Sequence, residues 1–90
     1  MSDDGDSGLQ EFPCRFPIKV MGRDTPEFRQ LAVKLVERHA GKLDTDAVRI
    51  APSRNRNFTA LTITIDATGK EQLDKIYRDL SAQEEVLIAL

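Results

Sequence analysis

Cysteine and histidine are almost missing from this sequence, and with them go most routes to catalysis. The one cysteine, Cys14, excludes an internal disulfide. The one histidine, His39, has no second histidine and no nearby cysteine to complete a metal or nucleophile site. No nucleophile with its base, no metal-ligand set and no phosphate loop can be assembled from them. The expectation is a protein that is not an enzyme, with no catalytic residue, no metal and no cofactor. Apolar runs near the roughly 18 residues of a membrane span are lacking too, as is a basic-then-apolar leader, which points to a cytoplasmic protein with no membrane partner. Nor is there a large excess of charge. The formal net charge is −2, and Asp3, Asp4, Asp6 and Glu11 cluster at the start, leaving 13 basic against 11 acidic side chains in the remainder. That balance is too even to predict nucleic-acid or membrane binding.

What is present suffices for one small domain. At this size only about 60% of the unfolded surface is buried, so a single core is all that can form. Met1–Gln10, MSDDGDSGLQ, offers only Leu9 beyond the initiator as an apolar side chain, and reads as a flexible acidic tail before one domain at 11–90. Phe16, Ile18 and Val20 then alternate with Pro17, Lys19 and Met21, the period of a half-buried strand. Pro17 cannot donate to a ladder, so two-sided pairing is expected from Ile18 onward, with a bulge or an open edge before it. The stretch Gly22–Pro26 breaks the alternation, with Gly22 read as supplying an unusual backbone angle.

A helix is predicted from Pro26 to Ala40, capped by Thr25 or Asp24, stopped by Gly41, and facing the core with Phe28, Leu31, Ala32, Leu35 and Val36. Lys42–Asp46 reads as a polar connection. Val48 and Ile50 alternate with Arg49 and Ala51 in a second strand that Pro52 ends, and Ser53–Arg56 has the composition of a hairpin loop. The third strand sets Leu61, Ile63 and Ile65 against Ala60, Thr62 and Thr64. Thr68 and Glu71 have capping-box spacing ahead of a second helix with Leu73, Ile76, Tyr77 and Leu80 on its inner stripe, and Glu71 with Lys75 and Asp74 with Arg78 as exposed pairs. Glu85–Leu90, EVLIAL, is apolar on both faces and reads as a last strand.

Two helices cannot cover both faces of a four-stranded sheet and share one core, so they are expected together on one face of an antiparallel sheet. A right-handed crossover gives strand order 4-1-3-2, the α+β, ferredoxin-like βαββαβ sandwich. Its open face is expected to carry Lys19, Met21, Arg49, Ala51, Ala60, Thr62, Thr64, Leu87 and Ala89. That face, mildly apolar, and the short second strand at an edge, make weak homodimerisation plausible.

The segments EFPCRFPIKVMG (Glu11 to Gly22), ERHA (Glu37 to Ala40), PSRNRNFTALTITIDAT (Pro52 to Thr68) and LDKIYRDL (Leu73 to Leu80) resemble the YbeD family of small bacterial proteins. The resemblance implies a cytoplasmic protein with a fold similar to the ACT regulatory domain, a module that binds small effectors. The strand-to-helix turn also resembles the ACT pattern Asp-x-Pro-Gly through Asp24 and Pro26, with Glu27 at the place of the glycine.

Two surfaces are candidates for function. The first is Gly22, Arg23, Asp24, Thr25 and Glu27, where a helix N-terminus, a glycine turn and a cation come together. A protein partner or a zwitterionic effector suits it better than phosphate, because Asp24 and Glu27 repel anions. The second is Lys19, Arg49, Arg54, Arg56 and Phe58, an arginine hairpin beside the open face, which suggests RNA binding as an alternative. Nucleic acid is the less favoured partner, since the central strands present Ala60, Thr62 and Thr64 where bases would need aromatics. His39 and Cys14 read as structural, the former at a helix C-terminus that favours a cation.

Overall fold

The structure, a computed structural model, describes residues 12–52 and 57–90. The acidic tail and the hairpin residues Arg54 and Arg56 lie outside the described residues. The elements are β1 (Cys14–Arg23), α1 (Pro26–Ala40), a short 3-10 turn (Thr45–Ala47), β2 (Val48–Pro52), β3 (Phe58–Ala67), α2 (Lys70–Ser81) and β4 (Val86–Ala89). All pairings are antiparallel and the strand order is β2-β3-β1-β4. Read from the other edge this is 4-1-3-2, and the architecture is the ferredoxin-like one expected.

Both helices lie on one face because each has only one apolar stripe to bury. Phe28, Ala32, Leu35 and Val36 of α1 and Leu73, Ile76 and Leu80 of α2 meet Ile18, Val20, Leu61, Ile63 and Ile65 from the sheet in a single core. Fully burying one such side chain is worth about 1.5–3 kcal/mol, against about 0–1 for an exposed ion pair, so this layer decides the fold. Among the described residues the expected Glu71–Lys75 and Asp74–Arg78 pairs do not close, ion pairs form instead at Arg15–Asp66 and Arg29–Asp24, and His39 is hydrogen-bonded to Asp79. No helix among the described residues is long and apolar enough to cross a membrane.

Local chemistry places the element ends. Pro26 occupies the first turn of α1, Thr25 caps it by accepting from the Phe28 amide at 3.1 Å, and Gly41 ends it at φ 83, a left-handed angle that a side chain would strain. Lys19 exchanges main-chain hydrogen bonds with Leu90 at 3.0 and 2.7 Å, so two-sided pairing of β1 begins there. Pro17 has the same parity as Lys19, and its missing N–H falls on the side β4 does not reach. The break is therefore an open edge rather than a bulge.

Four local expectations are corrected. Gly22 is not in a left-handed conformation, since among the described glycines only Gly41 is. It belongs to β1 because there is no room for a Cβ, which would run into the Glu85 carbonyl and the Phe28 ring. The capping box is not Thr68 with Glu71. Gly69 is the N-cap of α2, which makes Gln72 the third helical residue, and its Oε1 accepts from the Thr68 amide at 2.8 Å. The 42–46 connection runs into the 3-10 turn, steadied by a 3.0 Å bond from the Leu43 amide to Glu37. Finally, a register shift between Met21 and Gly22 pairs Met21 with Ile88 and Val20 with Ala89. Ile88 thus joins the open face, and Ala89 packs against the core.

Candidate functional site

The turn between β1 and α1 is held by its own residues. Asp24 Oδ1 accepts from Thr59 Oγ1 at 2.7 Å and from Arg29 Nη1 at 2.9 Å, while the Asp24 amide donates to the Asn57 carbonyl at 3.1 Å. Thr59 is fully buried, so this carboxylate satisfies a hydroxyl that water cannot reach. Thr25 occupies the Phe28 amide with its side chain and the Arg29 amide, at 3.3 Å, with its carbonyl. The space beside Gly22 is filled by Phe28 and Glu85. Glu27 is exposed on the first helical turn. Of the five residues in this stretch, Arg23 is the one whose exposed side chain stands on the sheet's open face.

That position joins the two surfaces. Arg23 is opposite Phe58 in the β1–β3 register, one step along from Met21 and Ala60. The next row across the sheet is Arg49, Thr62, Lys19, with Leu90 bonded beside Lys19. Lys19 and Arg49 are thus two strand spacings apart, about 9–10 Å between backbones. Met21, Ile88 and Leu90 are 40%, 50% and 70% exposed, and with Lys19, Ala60 and Thr62 they surround a shallow depression of about 160 Å³. The one carboxylate side chain of the face among the described residues, Asp66, is paired with Arg15 at 3.2 Å. The face therefore combines uncovered apolar side chains with an excess of cations. Phe58 was placed by sequence with the hairpin, and its position on β3 follows from the parity of the strand. The assignment of Ile88 has no sequence signal, because Val86 to Leu90, VLIAL, is apolar at every position and shows no alternation that would mark a face.

His39 and Cys14 have structural partners. His39 Nε2 lies 2.6 Å from Asp79 Oδ2 and Gln72 Nε2 donates to the His39 carbonyl at 3.0 Å, so the end of α1 is stitched twice to α2. The hydrogen bond with His39 holds the Asp79 carboxyl below the ordinary carboxylate value. Partial burial pushes the Tyr77 phenol, on the same helix, above its ordinary value. Cys14 is half-buried against the core at the start of β1. Among the described residues no three His, Cys, Asp or Glu side chains converge as a metal site.

The comparisons with known proteins agree with this architecture. The family described as protein of unknown function (DUF493) matches residues 7–90. A UPF0250 protein of Paraburkholderia phytofirmans is 45% identical over 82 residues, covering 91% of this chain and 92% of its own. Another, of Neisseria gonorrhoeae, is 40% identical over 84 residues, covering 93% and 92%. Among solved structures, the protein HP0495 from H. pylori superimposes with a TM-score of 0.69 at 16% identity, over 91% of this chain and 86% of that one, which is a likeness of fold. The chain therefore belongs to the UPF0250 (DUF493) family, the YbeD-type group of small bacterial proteins.

Proposed function

We propose that the protein is a non-catalytic interaction module of ACT-like architecture, and that it binds a protein partner over the open face of its sheet. The observation that supports this most directly is the composition of that face. Met21, Ile88 and Leu90 remain exposed on a sheet whose opposite side is packed, and Lys19, Arg23 and Arg49 stand among them. Apolar area gives affinity on burial, and the cations select a partner that brings carboxylates to the rim. A small zwitterionic effector at Gly22–Glu27 is less well supported, because the cap and the Asp24 contacts already use that turn.

An RNA partner is the second reading, and it draws on Phe58, opposite Arg23 at the head of β3. A base stacks on an aromatic face, and an arginine beside it adds a phosphate or cation–π contact.

Affinity capture with the full chain tests the proposal when it is run beside a Lys19→Glu, Arg49→Glu double variant. A protein held by the native chain and released by the variant supports the first reading. Single-stranded RNA retained at low salt and lost steeply as salt rises supports the second. Partners held equally by both chains would overturn the assignment to this face.

A further inference from the structure

The open face of the sheet holds cations with little beside them to offset their charge. Lys19, Arg23 and Arg49 are exposed there, and Asp66, the one carboxylate side chain of the face among the described residues, is already paired with Arg15. On α2, by contrast, the exposed Lys70, Lys75 and Arg78 are interleaved with Glu71 and Asp74. A counter-charge of the right size is present in the same chain. The acidic tail, residues 1–11, carries Asp3, Asp4, Asp6 and Glu11 and no basic side chain.

The point of attachment brings that charge within reach. The tail leads into β1, a central strand between β3 and β4, and β1 itself carries Lys19. At about 3.4 Å per residue, Lys19 lies roughly 17 Å along the strand from Cys14, and Arg49, two strand spacings to the side, roughly 20 Å from it. Asp6 and Asp3 precede Cys14 by eight and eleven residues. A reversal of direction uses about four residues, and the remainder then spans about 14 Å to Asp6 and about 24 Å to Asp3. Those two distances bracket the row of Lys19 and Arg49. A tethered group is most concentrated where its tether matches the span, and a short tether gives an effective concentration on the order of millimolar.

We propose that residues 1–11 fold back over the open face as an intramolecular ligand, with Asp3, Asp4 and Asp6 against Lys19 and Arg49, and that they compete there with an acidic partner. The competition rests on the reading of this face as the binding surface, whereas the contact itself does not. Exposed ion pairs are individually weak and are screened by salt, so the tail covers the face for a fraction of the time. Coverage of about one half to four fifths lowers the apparent affinity of a partner by about two- to fivefold.

Amide chemical shifts of the labelled full chain test this against the triple variant Asp3→Asn, Asp4→Asn, Asp6→Asn, in which no core residue changes. At low salt the two chains should differ at Lys19, Arg49 and the amides beside them. The difference should vanish at high salt, and also when both chains carry Lys19→Glu and Arg49→Glu. An acidic, leucine-rich peptide should bind the neutralised chain about two- to fivefold more tightly than the native one. Shift differences confined to the tail and its junction with β1, or unchanged by Lys19→Glu and Arg49→Glu, would overturn the contact. Equal affinity of both chains for the peptide would overturn the competition. A peptide that binds neither chain, with the shift differences at Lys19 and Arg49 intact, would support the tail contact and count against the partner reading alone.

Discussion

Arg23 and Phe58 stand opposite one another where β1 ends and β3 begins, and the pair places an arginine next to the helix-capping turn on the same sheet face as Lys19 and Arg49. Replacing Arg23 with Ala should weaken partner binding without loss of stability, since the side chain is exposed. Replacing Asp24 should do the reverse. Asp24→Ala leaves the buried Thr59 hydroxyl without its acceptor and should cost about 1–3 kcal/mol, while Thr59→Val, which removes the donor, should cost about 1 kcal/mol. Urea denaturation of the three variants beside the native chain measures the contrast.

Gly22→Ala should be among the more damaging small substitutions. The added methyl meets the Glu85 backbone on one side and the buried Phe28 ring on the other, and neither can swing aside. Overpacking of this kind costs about 1–3 kcal/mol, whereas Gly69→Ala has open space around it and should cost less than Gly22→Ala. Thermal unfolding of the two variants, compared at equal concentration, is sufficient to rank them.

The same glycine marks the limit of what the sequence makes legible. Periodicity locates the first three strands and both helices, because Phe28 to Val36 and Leu61 to Ile65 repeat at clean helical and strand spacings, whereas the fourth strand is read from a short apolar run at Val86 to Leu90. The ends of α1 were legible from Thr25, Pro26 and Gly41, whose preferences are local. Contacts between distant segments carried no such signal. Asp24 finds Thr59 and His39 finds Asp79 only after the sheet has formed, and Gly22 is needed by neighbours far along the chain. The β4 bulge was hidden by an apolar run without alternation. The exposure of Ile50, opposite Leu61 on the helix-bearing side of the sheet, was hidden by alternation itself, which marks a side of the sheet and says nothing of how far a helix extends over it.

The His39–Asp79 bond predicts a pH dependence with a definite sign. The carboxyl titrates lower in the folded chain than its ordinary value of 3.8, chiefly through the hydrogen bond with His39. Its contribution is therefore complete above the unfolded value and is lost as pH falls through the folded one. The native chain should lose stability more steeply below about pH 4 than Asp79→Asn does, and the two curves should converge at the acid end. Guanidinium unfolding at a series of pH values reads this directly, and parallel curves would show that the bond contributes nothing to folding.

The claim that the bare sheet face is the binding surface can be tested at single-residue resolution. Backbone amide chemical shifts of the labelled chain would be followed while an acidic, leucine-rich peptide is added in one series and a single-stranded oligouridine in another. The account predicts that the peptide perturbs Lys19, Met21, Arg23, Arg49 and Ile88 together, and that Lys19→Glu, Arg49→Glu abolishes the effect. Perturbations confined to Asp24, Thr25 and Glu27, or a response to the oligouridine alone, would contradict it.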